Sequence, residues 1–103
     1  MNRAERRQKS RRQEGLLADA MARHEAGNLA AAEALYRDLL MANSKHADAL
    51  HMLGLLHYQT ERAAEAIDLI REAIANDPET PWYHSNLERI FNETKRFEDA
   101  ADA

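Results

Sequence analysis

A chain of 103 residues has room for one small domain, and 45% hydrophobic with 31% charged residues is an ordinary globular composition. Cysteine is absent, which excludes disulfides, thiolate metal sites and a cysteine nucleophile, and no apolar run nears the roughly 18 residues of a membrane span. The net charge of −4 is unevenly spread: through Gln13 six cations stand against Glu5 alone, while the remainder holds 8 basic and 17 acidic residues.

Residues 1–12 form a basic arm carrying Arg3, Arg6, Arg7, Lys9, Arg11 and Arg12. Such a segment suits nucleic acid or an anionic lipid surface. No aromatic lies between the arginines to stack on a base, and the reading preferred from sequence is a solvated helical extension with neither partner. The N-terminus also lacks the apolar stretch of a secretory signal, so a cytoplasmic location is expected.

Residues 13–46 read as a helix pair. A helix over about Glu14 to Glu25 ends at Gly27-Asn28, a pair suited to a left-handed turn. The second, about Leu29 to Met41, presents Ala31, Ala34, Leu35, Tyr36, Leu39 and Leu40 as its apolar side. In residues 47–80 the stretch from Ala47 to Tyr58 is apolar on nearly every side, which suits a helix enclosed by several neighbours, with Ser44 the expected cap. After Gln59 to Arg62, Ala63, Ala66, Ile67, Ile70 and Ile74 fall on one helical stripe, and Pro78 predicts a stop near Asn76. Residues 81–103 open at Thr80-Pro81, carry Trp82, Leu87, Ile90 and Phe91 on a first helix, and are expected to begin a second, truncated one near Phe97.

The helix pairs repeat. Ala32, Ala66 and Ala100 stand 34 residues apart, as do Leu16 and Leu50, Leu53 and Leu87, and Tyr36 and Ile70. With Ala, Leu, Glu and Arg dominant, this period predicts an all-α superhelix of stacked antiparallel helix pairs, two repeats complete and one partial. Set against the pattern W-x2-L-G-x2-Y…A-x3-F…P, the middle unit reads Leu50, Leu53-Gly54, His57, Ala66, Ile70 and Pro78, with every spacing kept. It resembles a tetratricopeptide repeat. Gly54 would let the paired helices approach closely, Leu50, Leu53 and Ile70 would fill the seam, and Ala66 is small where the helices cross.

In the first unit Leu16, Ala20, Gly27, Ala32 and Tyr36 fit, while Asp19 replaces the leucine and Ser44 the proline. In the third, Leu87, Phe91 and Ala100 fit, but Glu88 stands where a small residue is expected and Lys95 where a turn glycine often sits. The segments MNRAERR, AGNLAAAEALYRDLL, HADALHMLGLLHYQ and YHSNL further resemble the N-terminal part of bacterial tetratricopeptide proteins whose arrays often precede a glycosyltransferase or methyltransferase domain. That likeness implies an adaptor without the enzyme.

No enzymatic chemistry is legible. His24, His46, His51, His57 and His84 include no i, i+4 pair that would aim two imidazoles at one metal, so no metal or cofactor is expected. Gly15, Gly27 and Gly54 are too scattered for a phosphate loop, there is no G-x-S-x-G, and no catalytic residue is assigned. The resemblance implies instead a concave groove for a peptide or partner protein, lined by first helices: Leu17, Met21 and His24, then Asp48, His51, Met52, Leu55 and Tyr58, then Ser85, Asn86, Arg89 and Glu93. The alternative is that Met21 and Leu55 simply pack between adjacent first helices. Two rival roles follow from the same reading. One is self-association or docking through Leu87, Ile90, Phe91 and Phe97 at the C-terminal edge; the other is service to a transferase acting in trans.

Overall fold

The computed structural model describes residues 2–102, with side chains to residue 96. Five helices follow in order: α1 Arg3–Glu25, α2 Leu29–Ala42, α3 Ala47–Gln59, α4 Ala63–Asn76 and α5 Pro81–Asp102. They group into two compact units, residues 1–44 with α1 and α2, and residues 45–103 with α3, α4 and α5. Among the described residues no helix is long and apolar enough to cross a membrane.

In the first unit α1 begins at Arg3 rather than near Glu14. The Asn2 side chain accepts a hydrogen bond from the Glu5 amide at 2.9 Å and donates to the Glu5 carboxylate at 3.3 Å, so the basic segment is capped as part of the helix. The helix stops where expected. Gly27 takes φ 84°, its amide donates to the His24 carbonyl, and the Asn28 amide reaches back to the Arg23 carbonyl at 2.9 Å. This pair of bonds satisfies carbonyls that the helix end would otherwise leave open. Ala20 of α1 is fully buried together with Ala32, Tyr36 and Leu39 of α2. Ala34, expected on the apolar side, is exposed, since the buried stripe runs through Ala32 instead.

In the second unit α3 packs against α4, and α4 against α5. Seven residues of α3 are buried: Ala49, Leu50, His51, Leu53, Gly54, Leu56 and His57. The crossing with α4 depends on Gly54, where a β-carbon would meet Ile70 Cγ1 at 2.8 Å and the Ala66 carbonyl oxygen at 3.2 Å. A side chain there would force the helices apart. The cap of α3 is His46, whose Nδ1 accepts from the Ala49 amide at 3.2 Å; the expected Ser44 is exposed.

The α3–α4 turn repeats the geometry of the α1–α2 turn at the same register. Glu61 takes φ 65°, its amide donates to the Tyr58 carbonyl, and the Arg62 amide donates to the His57 carbonyl at 2.8 Å. A non-glycine residue holds the left-handed position here. One period further on is Lys95, and there the chain does not turn: α5 continues through it to Asp102, so no second helix starts near Phe97. The side chains of Phe97 and Ala100 lie outside the described residues.

Candidate interaction surface

The sequence-derived groove residues fall on both units. On α1, Leu17 and His24 are half-buried and Met21 is 41% exposed. His24 Nδ1 hydrogen-bonds the Tyr36 hydroxyl at 3.0 Å, and the rings meet edge to face. Burial pushes the Tyr36 phenol up to about 12, so it remains a neutral hydroxyl.

On the second unit Asp48, Met52, Leu55 and Tyr58 of α3 share a face with Asn86 and Arg89 of α5, because three hydrogen bonds tie the two helices together at one interval. Tyr83 donates to Asp48, Asn86 to His51 at 2.9 Å, and Tyr58 to Glu93, each pair 35 residues apart. That interval is one repeat plus one residue, so the bonds run between successive first helices of the array. The His51 and Tyr83 rings also stack at 4.6 Å between centroids.

These bonds set the protonation states. The Asn86 amide is a donor, so His51 Nε2 must be the bare nitrogen of a neutral ring, and burial lowers the His51 pKa against a smaller opposing pull from Asp48. Burial raises the Tyr83 phenol further than its bond to Asp48 does. For Tyr58 the Glu93 hydrogen bond is the main cause of an upward shift.

The structure therefore divides the expected groove. His51 is 1% exposed and bonded, so it supports the surface from beneath, whereas Met52, Leu55 and Tyr58 are half-buried and Asp48 and Arg89 exposed. Tyr83 was missed. It lies next to Trp82, the conspicuous aromatic, but Tyr83 is 1% exposed and Trp82 66%. The 35-residue spacing from Asp48 was the available signal.

The remaining histidines have separate surroundings. His57 is buried with Nδ1 3.8 Å from a Glu65 carboxylate oxygen, and His84 Nε2 donates to the Pro78 carbonyl at 2.9 Å. Among the described residues no group of three or more His, Asp or Glu is placed to hold a metal ion.

The tetratricopeptide repeat family profile matches residues 15–81. Among solved structures, a mutant O-GlcNAc transferase from Thermobaculum terrenum is 33% identical, with a TM-score of 0.73. The match covers 76% of this chain and 15% of the transferase, so the chain spans a small part of that protein's length. No curated protein matches. The Gly54 crossing, the two turns 34 residues apart and the family match agree: the chain belongs to the tetratricopeptide repeat family.

Proposed function

We propose that the chain is a cytoplasmic protein-interaction module, which takes a peptide or partner helix on the face formed by Asp48, Met52, Leu55 and Tyr58 of α3 with Asn86 and Arg89 of α5. Leu17, Met21 and His24 offer a corresponding surface on α1. The observation that carries the reading is the unequal cover of α3: Leu50, Leu53 and Gly54 are buried, Gly54 against Ala66 and Ile70 of α4, while Met52, Leu55 and Tyr58 keep part of their surface in water. Methionine, leucine and tyrosine suit adaptable contact with another chain. The test is capture of a partner from cell extract, followed by titration with Leu55→Asp. Loss of binding with helicity retained is expected, and undiminished binding removes this face as the site. Tyr58→Ala is the weaker tool, since it also breaks the bond to Glu93.

A second reading is self-association through α5, where Trp82 is 66% and Phe91 40% exposed. Leu87 is half-buried and Ile90 fully buried, so they contribute less than the sequence implied. A strict monomer by light scattering at high micromolar concentration excludes it. The likeness to a transferase supports a third reading, a repeat segment serving a transferase in trans. Absence of transferase activity from material co-purified with the chain counts against it.

A further inference from the structure

The basic segment gains a specific geometry from being helical. Arg3, Arg6, Arg7, Lys9, Arg11 and Arg12 are all exposed, and among the described residues none of them forms an ion pair. At 100° per residue they occupy about 260° of the circumference of a rod roughly 15 Å long. They repel one another as i, i+4 pairs (Arg3 with Arg7, Arg7 with Arg11) and as i, i+3 pairs (Arg3 with Arg6, Arg6 with Lys9, Lys9 with Arg12). Glu5 offsets only part of that repulsion, and residues 3–12 keep a net charge of +5, six cations against one carboxylate, for an external polyanion to meet.

The distribution of charge selects among polyanions. A flat anionic membrane attracts cations on one side of a helix at a time, and with Ala4 the only apolar residue between Arg3 and Gln13 no apolar stripe adds insertion to that attraction. A groove walled by phosphates on both sides reaches cations around most of the circumference. The B-form major groove, about 12 Å wide, admits an α-helix, while that of A-form RNA is too narrow.

We infer that the helical segment from Arg3 to Arg12 is a nucleic-acid contact that lies in the major groove of duplex DNA and binds its phosphate walls without base readout. The contact is independent of the α3 face. Unit charges support the placement, since residues 1–44 hold 8 basic and 6 acidic residues and residues 45–103 hold 6 and 12, so only the first unit attracts a polyanion.

The test is fluorescence anisotropy of the full chain with a labelled DNA duplex of about 20 base pairs, the matching RNA duplex, and sedimentation with phosphatidylserine-containing vesicles. With about five phosphates neutralised, DNA affinity should fall roughly 500-fold between about 50 and about 200 mM salt. Two triple variants separate a groove from a plane: Arg3→Gln, Arg7→Gln, Arg11→Gln on one side, and Arg6→Gln, Lys9→Gln, Arg12→Gln on the other. Each should weaken DNA binding by at least about tenfold at low salt, while Leu55→Asp should leave it unchanged. No DNA binding at low salt overturns the inference. So does tighter binding to RNA or vesicles, or an effect confined to one triad.

Discussion

In α1 only Ala20 of 23 residues is buried, whereas α3 buries seven of 13, although the two helices occupy the same place in their repeats. Position by position the register holds: Ala20 corresponds to Gly54, Ala32 to Ala66, Tyr36 to Ile70, and the left-handed Gly27 to the left-handed Glu61. The crossing is met in two ways, by alanine in a hairpin with tyrosine and by glycine against isoleucine. What differs is the number of neighbours. Within its unit α1 has α2 alone, while α3 packs on α4 and is hydrogen-bonded to α5, and its positions that correspond to wet ones in α1 become covered. Leu17, half-buried in α1, corresponds to His51, which is buried and bonded to Asn86 of α5.

The largest test of that contrast is Gly54→Leu. Because a single β-carbon already lies 2.8 Å from Ile70, we expect urea denaturation to show a loss of about 3 kcal/mol or more from overpacking. Next, Tyr83→Phe removes the donor to the Asp48 carboxylate and should cost about 2 kcal/mol, against about 1 kcal/mol for Tyr36→Phe, whose hydroxyl is bonded to the His24 ring. Equal losses would show that the α3–α5 bonds add nothing beyond an ordinary hydroxyl.

The same seam predicts a pH effect. The folded-state pKa of His51 lies below its unfolded value, so the unfolded chain binds the extra proton; stability is fully present above about pH 6.5 and is lost as pH falls toward the folded value. Urea midpoints between about pH 7 and about pH 5 should decline in the wild type and decline less in His51→Gln.

Smaller effects come from the turns. Glu61→Gly should stabilise by about 1 kcal/mol and Gly27→Glu should destabilise by a similar amount, since only glycine holds φ near these values without a β-carbon penalty. The smallest expected change is Gly15→Ala in exposed α1, a gain of up to about 1 kcal/mol, because nothing lies within 4 Å of the added carbon. A loss there would mean that α1 is covered on that face.

Much of the middle hairpin is legible in the sequence. Gly54 with Ala66 and Ile70, and the end of α4 at Asn76 before Pro78, depend on local sterics and on spacing within one repeat. The groove was legible only in outline. Composition marks Met52, Leu55 and Tyr58 as apolar residues of a first helix, but it does not reveal that His51 is sealed by Asn86 or that Tyr58 is held by Glu93. Nor does composition show that Tyr83, about 100° round the helix from the exposed Trp82, is the aromatic that faces inward.

The 34-residue period, the first two helix pairs and the glycine at the tight crossing were determined by sequence alone, because helix periodicity and β-carbon sterics act over a few residues. The tertiary structure decided the rest. Whether a face is wet, whether a histidine stays neutral, and which carboxylate a tyrosine reaches depend on residues 35 positions away. It likewise showed that α5 runs straight through Lys95, where the two earlier repeats turn on Gly27 and Glu61.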